Sequence, residues 1–201
     1  GRAPLPYGQG LGFINGILNS KADAVGSALY ISNMIDGYDV PGVHNATHGL
    51  WDVYEYIRGS RYKATTPVRL LHEMWDNFFD NSPAGSKFLQ NCHSQGATHV
   101  RNALLDYSEE RRQRIFVVAI APGSYIDPKT CAKVIHYRAP WWRDFVPRID
   151  SAGAERAKGT IVDLKSHPDA KFFDHEFQSP TYRGVLKQHI DKYIESGGQS
   201  L

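Results

Sequence analysis

Cysteine, net charge and long apolar runs are all scarce in this sequence, and each shortage excludes a class of protein. Two cysteines, Cys92 and Cys131, occur in 201 residues, which excludes the disulfide framework typical of small secreted domains. They fall at the end of one predicted strand and at the start of another, where buried reduced thiols are expected. The sequence therefore favours a reducing compartment, either a cytoplasm or a host cytosol that receives the protein, without fixing the localisation.

The charge balance gives no sign of a nucleic-acid partner. A net charge of +2 falls short of the clustered basic face that phosphate binding requires. The densest charged run, residues 109–114 (EERRQR), mixes both signs and predicts a solvated turn between a helix and a strand.

Neither a transmembrane segment nor a secretory signal is predicted, because no run approaches the roughly 18 apolar residues of a membrane span. The chain starts at Gly1 rather than at a methionine. We therefore expect that preceding sequence has been removed, and we interpret residues 1–10 as an N-terminal arm.

The order of the predicted elements indicates a single α/β domain over residues 1–201. Residues 115–121 (IFVVAIA) form a near-continuous apolar run, which is typical of a central parallel strand buried on both faces. The other expected strands are residues 13–17, 38–43, the segment before Ser94, the region around Val134 and 160–164; helices are expected from Ser20 to Gly37, within 45–57, after Thr66 and Pro67, after Ser94, and after Ser179 and Pro180. This alternation predicts a mostly parallel twisted sheet with helices on both faces and no large cap domain.

The segment 88–97 (FLQNCHSQGA) is the most informative motif. A short buried strand, one exposed serine and a helix start form the layout of a nucleophile elbow, a tight turn that lifts the serine side chain clear of the backbone. Ser94 stands at the apex, and Gly96 leaves room for the helix to pack against the strand. Cys92 replaces the first glycine of the usual G-x-S-x-G pattern. An S-x-G match also arises by chance, in which case Ser94 only caps the helix.

Two later segments follow predicted strands. Residues 139–147 (APWWRDFVP) carry Asp144, and residues 173–182 (FDHEFQSPTY), just before the last helix, carry His175. Together with the serine turn they resemble lipase-like members of the α/β-hydrolase superfamily, which uses the chain order Ser94, Asp144, His175. The resemblance covers about residues 11–194. It implies an α/β-hydrolase-like fold and a serine hydrolase, an esterase or lipase-like enzyme that cleaves a carboxylic ester, or a thioester or lipid acyl bond.

The run 92–102 (CHSQGATHVRN) is also similar to an uncharacterised chlamydial α/β-hydrolase family. That similarity implies no activity.

The resemblance assigns a role to each of the three residues. A serine hydroxyl is a poor nucleophile until a base takes its proton, and the base needs an acid to hold its tautomer. Ser94 is expected to be the nucleophile, His175 the general base and Asp144 the orienting acid.

An oxyanion would need preorganised N–H donors. The backbone N–H of Gln95, directly after the serine, is expected to supply one. The other is expected from the turn at residues 15–17, which resembles the superfamily's His-Gly turn. There the N–H of Ile17 is favoured over that of Gly16.

Other residues compete for these roles. His93 and His99 are near Ser94 in sequence but are not expected to reach its hydroxyl. For the acid, Asp163 lies inside a predicted strand and Asp150 lies farther along the loop of Asp144. Cys92 as the nucleophile is disfavoured because it precedes the apex by two residues.

No cofactor and no metal is expected. His44 and His48 have the H-x3-H spacing of a helical metal pair, but no glutamate completes that motif, and a chance pair in a polar loop is favoured.

Aromatic residues around the acid and the base predict an apolar pocket wall that suits a small-molecule or lipid ester. The candidates for this wall are Trp141, Trp142, Phe145 and Phe177, with Phe172 and Phe173 beside them. A catalytically silent α/β-hydrolase domain that serves as a binding or effector module is the alternative, kept open by Cys92 in the elbow. The oligomeric state is left open.

Overall fold

In the computed structural model, the chain is described for residues 5–15, 30–31, 33–34 and 66–201. The expected strand at 38–43, the segment 45–57, Gly16, Ile17 and most of the helix expected after Ser20 lie outside these residues. Residues 30–31 and 33–34 are helical, as expected.

Within the described residues, five parallel strands form one sheet in the order β1-β2-β3-β4-β5. The strands are β1 (Gly10–Ile14), β2 (Phe88–His93), β3 (Ile115–Ile120), β4 (Lys133–Arg138) and β5 (Ile161–Asp163). The helices described in full are α1 (Thr66–Asp80), α2 (Gln95–Leu105), α3 (Glu109–Arg112), α4 (Ser151–Arg156) and α5 (Pro180–Glu195). The chain is thus of the α/β class, as predicted.

The strand β1 starts earlier than predicted. We expected a strand at residues 13–17 after a glycine-broken arm, but Gly10 and Gly12 belong to the strand. Both glycines leave room for side chains of α1, since a Cβ on Gly10 would lie 2.5 Å from the ring of Phe78 and one on Gly12 would lie 2.8 Å from the end of Met74. These glycines let α1 lie close to the sheet rather than breaking the strand.

Two apolar layers cover the two faces of the sheet. On one face α1 and α2 bury Trp75 and Leu104 against the sheet, and on the other α5 buries Leu186 and Tyr182. The strand β3 is buried along its whole length, as the apolar run predicted. No helix within the described ranges is long and apolar enough to cross a membrane.

The charged run at 109–114 does not form a simple turn. It contains the short helix α3, and Arg111 forms ion pairs with Asp76 and Asp80 of α1 at 2.6 and 2.7 Å. This run ties α3 to α1 at the surface.

The parallel register brings the carboxyl ends of the strands to one edge. Ile14 lies opposite Cys92, and His93 lies opposite Ile120. The chain leaves this edge at Ser94 after β2, and Asp144 and His175 lie on the segments that follow β4 and β5. Ligand sites of parallel α/β sheets lie beyond such an edge.

Candidate active site

Ser94 occupies a strained turn between β2 and α2. Its backbone angles are φ 55° and ψ −125°, a conformation that glycine adopts freely and other residues adopt at a cost of about 1–3 kcal/mol. The surroundings hold this turn from both sides. The Ser94 N–H donates to the oxygen of Ile120 at 3.2 Å, and the Ser94 oxygen accepts from the N–H groups of Ala97 and Gly123 at 3.1 and 2.8 Å.

Gly96 permits the close approach of α2 to the end of β1. A Cβ at this position would lie 2.3 Å from the backbone oxygen of Ile14, so no other residue fits without a shift of the helix. The spacing of serine and glycine in the motif therefore follows from the geometry of the turn.

Cys92 lies in the apolar layer under α1 and α2. It is fully buried, and its Sγ lies 3.8 Å from the oxygen of Val118. Burial raises the pKa of this thiol well above its usual range. The thiol therefore faces the core and not Ser94, and its small side chain fits the place of the usual glycine.

Ser94, His175 and Asp144 form a continuous chain of hydrogen bonds. His175 Nε2 lies 2.9 Å from Ser94 Oγ, and His175 Nδ1 lies 2.7 Å from Asp144 Oδ2. Since a carboxylate only accepts, His175 carries its proton on Nδ1 and leaves Nε2 free to accept the proton of the serine. Asp144 is buried, and its second oxygen accepts from the N–H of Val146 at 3.1 Å.

The two competing acids have other partners. Asp163 pairs with Arg138 and Arg148 at 2.6 and 3.3 Å, and hydrogen bonding to Arg138 lowers the pKa of its carboxyl. Asp150 caps α4 by accepting from the N–H of Gly153 at 3.0 Å, and it also accepts from the N–H of Tyr125 at 3.0 Å. The structure thus brings Asp144, and neither of these residues, to His175.

The competing histidines also lie away from the Ser94 hydroxyl. His93 contacts Asn15 Oδ1 and the backbone oxygen of His175. His99 lies on α2, where burial lowers its pKa to about 4. His44 and His48 lie outside the described residues. Within the described part of the chain, no three His, Cys, Asp or Glu side chains are grouped as metal ligands.

Among the residues expected to donate a backbone N–H to the oxyanion, Gln95 lies within the part of the chain that the structure describes. It is the first residue of α2, where backbone N–H groups have no partner within the helix. Gly16 and Ile17 lie outside the described residues, so the second donor stays a prediction. Asn15, which precedes them, is buried at the end of β1.

The anchoring of the segment before His175 was not predicted from the sequence. Asp174 is buried and accepts hydrogen bonds from three hydroxyl groups at 2.5 to 2.6 Å. The donors are Ser166, Ser179 and Thr181. Hydrogen bonds of this kind offset the loss of hydration that a buried carboxylate suffers. The signal in the sequence is only a group of hydroxyl residues around Asp174, which is too common to identify the arrangement.

Arg143 anchors the same segment from the side of the acid. Its guanidinium donates to the backbone oxygens of Phe172, Lys171 and Ala170 at 2.6, 2.7 and 3.3 Å. Arg143 directly precedes Asp144, so the acid and the base are carried on segments that are tied to each other.

The aromatic residues divide into two groups. Trp141, Trp142 and Phe145 are 69%, 55% and 61% exposed, so they form an open apolar surface rather than a closed wall. Phe173 lies on this surface and stacks on the ring of His175 at 5.6 Å. Phe177, expected in the pocket wall, is buried in the core with its ring 4.3 Å from that of Phe13.

The fold and the site together define an α/β protein whose parallel sheet presents a Ser–His–Asp hydrogen-bonded chain at its carboxyl edge. The chain belongs to the family described as "Protein of unknown function (DUF687)", which matches residues 3–196. No curated protein matches the chain.

Proposed function

We propose that this protein is a serine hydrolase of the α/β-hydrolase type, which cleaves a carboxylic ester through an acyl-enzyme. The observation that carries the proposal is the hydrogen-bonded chain of Asp144, His175 and Ser94. Asp144 lies 2.7 Å from His175, His175 lies 2.9 Å from Ser94, and Ser94 occupies a strained strand-to-helix turn. An apolar surface beside His175 suits an ester with an acyl or aryl group.

In the first half of the reaction Ser94 Oγ attacks the ester carbonyl carbon while His175 Nε2 takes the hydroxyl proton. Asp144 stabilises the imidazolium that forms. The oxyanion accepts from the N–H of Gln95, a donor of a kind worth about 3–4 kcal/mol. When the intermediate collapses, the alcohol leaves with the proton from His175, and the acyl group stays on Ser94.

In the second half water attacks the acyl-enzyme and gives its proton to His175. The carboxylic acid then leaves as the serine recovers its proton. An acyl acceptor other than water would turn the same steps into acyl transfer, and thioester cleavage uses the same groups.

A fluorophosphonate probe tests the proposal directly. We expect a mass shift that maps to Ser94 in the folded wild type and no shift in Ser94→Ala. Hydrolysis of a short p-nitrophenyl ester should disappear in the same variant. A folded wild type that neither reacts with the probe nor hydrolyses any ester would instead support the silent binding module.

A further inference from the structure

We propose that His93 is a positioning residue for the base. Its ring bridges the backbone of His175 and the side chain of Asn15 at the end of β1. The role in hydrolysis rests on the proposed function, whereas the bridge itself is testable without activity. His93 is the residue before Ser94, so it belongs to the same rigid strand end as the nucleophile.

The geometry uses both nitrogens of the His93 ring. Nε2 lies 2.5 Å from the backbone oxygen of His175, and Nδ1 lies 2.6 Å from the side-chain oxygen of Asn15. The rings of His93 and His175 lie 5.0 Å apart. His93 is buried, so water does not compete for these hydrogen bonds.

The chemistry of the partners fixes the state of the ring. The His175 oxygen can only accept, so Nε2 of His93 must carry a proton. Burial and the neighbouring His175 lower the pKa of His93 to about 3, which keeps the ring neutral and makes Nδ1 an acceptor. The atom placed 2.6 Å from Nδ1 is the side-chain oxygen of Asn15, so a neutral His93 ring accepts a hydrogen bond there only when the Asn15 amide presents its NH2 group instead.

This bridge acts on the base more directly than the other anchors do. Arg143 contacts residues 170–172, and Asp174 holds its own segment through hydroxyl groups. His93 alone among these anchors contacts the backbone of His175 itself. It therefore sets the height of His175 above the strand that carries Ser94, and a displacement near 1 Å in such a contact lowers turnover by about 100-fold.

Two substitutions at His93 separate the donor from the bulk of the ring. His93→Gln can keep an N–H near the place of Nε2, whereas His93→Asn keeps a polar group only near Nδ1. We expect kcat to fall about 100-fold in His93→Asn, with KM changed less than about threefold, and to stay within about threefold of wild type in His93→Gln. His93→Leu, apolar and of similar volume, is the second variant without a donor at the place of Nε2.

His136→Asn is the matched control. His136 is also fully buried with both nitrogens engaged, by the Ile126 N–H at 3.0 Å and the Thr160 hydroxyl at 2.8 Å, but it does not contact Ser94 or His175. This control should lose stability as His93→Asn does while keeping kcat.

Proton NMR of the His175 Nδ1–H signal, recorded in a Ser94→Ala background, tests the contact between His93 and His175 without any measurement of turnover. We expect the signal to shift or broaden in His93→Asn and His93→Leu and to persist in His93→Gln and His136→Asn. Equal kcat in His93→Asn and His93→Gln, with an unchanged signal in both, would overturn the proposal and leave His93 as a space-filling core residue. A wild type that reacts with no probe, but whose signal responds as described, would refute the hydrolase and keep the positioning role.

Discussion

The backbone oxygen of Arg143 accepts a hydrogen bond from the N–H of Asp174 at 2.8 Å. This contact joins the residue before Asp144 to the residue before His175. The guanidinium of Arg143 adds hydrogen bonds to the backbone oxygens of residues 170–172. The acid and the base are therefore held in register by a main-chain bond and a side-chain clamp.

Removing the clamp should lower activity more than stability. Arg143→Met keeps the aliphatic stem but removes every donor, so we expect kcat for ester hydrolysis to fall about tenfold or more as the segment before His175 loosens. Arg156→Met, at an exposed arginine in the last turn of α4, is the control and should leave kcat unchanged. Equal activity of the two variants would show that the main-chain bond alone keeps the register.

The strain at Ser94 should be measurable as stability. Ser94→Ala keeps a Cβ at φ 55° and therefore keeps the strain, whereas Ser94→Gly removes it. We expect Ser94→Gly to be more stable than Ser94→Ala by about 1 kcal/mol in urea unfolding. Ala103→Gly, within α2, is the reference and should lose about 1 kcal/mol. A Ser94→Gly protein no more stable than Ser94→Ala would contradict the strained turn.

Substitutions of the two aspartates in the segment after β4, Asp144 and Asp150, should have different effects on turnover. Asp144→Asn retains the fold but loses the charge that orients His175, so we expect turnover to fall by about 10³–10⁴-fold. Asp150→Asn should keep nearly full activity and lose some stability, because Asp150 serves the N-terminus of α4 and the N–H of Tyr125. Turnover and thermal unfolding of both variants give the answer. A collapse of turnover confined to Asp150→Asn would transfer the role of the acid.

The sequence predicts a structural feature well when the residues that determine it are neighbours in the chain. The turn at Ser94 joins a strand directly to a helix, so the local motif predicts both the turn and the glycine after it, even though the contact that requires Gly96 is with Ile14 of β1. The early start of β1 was missed because Gly10 and Gly12 were interpreted as breaks, whereas their role is to admit Phe78 and Met74 from α1. That role depends on a helix more than 50 residues away in the chain.

The roles of Asp144 and His175 came from a resemblance, and their meeting depends on the sheet that brings three strand ends together. The anchors Arg143, Asp174 and His93 bind through backbone oxygens or common hydroxyl groups. Such contacts leave almost no trace in residue type, because any residue supplies a backbone oxygen. The buried place of Phe177 was missed for a similar reason, since a pocket wall and a core favour the same aromatic side chain.

Ester hydrolysis should survive chelation. Ser94 and His175 generate the nucleophile by proton transfer, so no Lewis acid is needed for that step. We expect the rate with a p-nitrophenyl ester to be unchanged after dialysis against EDTA. Activity that is lost on chelation and restored by Zn²⁺ would point instead to the histidine pair His44 and His48.

Stability should fall as the solution becomes mildly acidic, because burial keeps four histidines neutral in the fold. Burial lowers the pKa of His93 and of His136 to about 3 and that of His99 and of His189 to about 4, whereas the unfolded value is near 6.5. Between about pH 6.5 and pH 3 the unfolded chain therefore binds protons that the native chain does not. The free energy of unfolding then decreases as pH falls, by about 1.4 kcal/mol per pH unit for each such histidine once the pH is well below 6.5.

Urea unfolding of wild type and His136→Asn between pH 7.5 and pH 4.5 measures this slope. The variant lacks one of the four histidines, so its stability should depend less steeply on pH by about one proton, even though its stability at pH 7.5 is lower. The lowered pKa of Asp163 acts only below its ordinary value of 3.8, outside this range. Parallel slopes for the two proteins would show that His136 takes up a proton in the native state, contrary to the hydrogen bond it accepts from the N–H of Ile126.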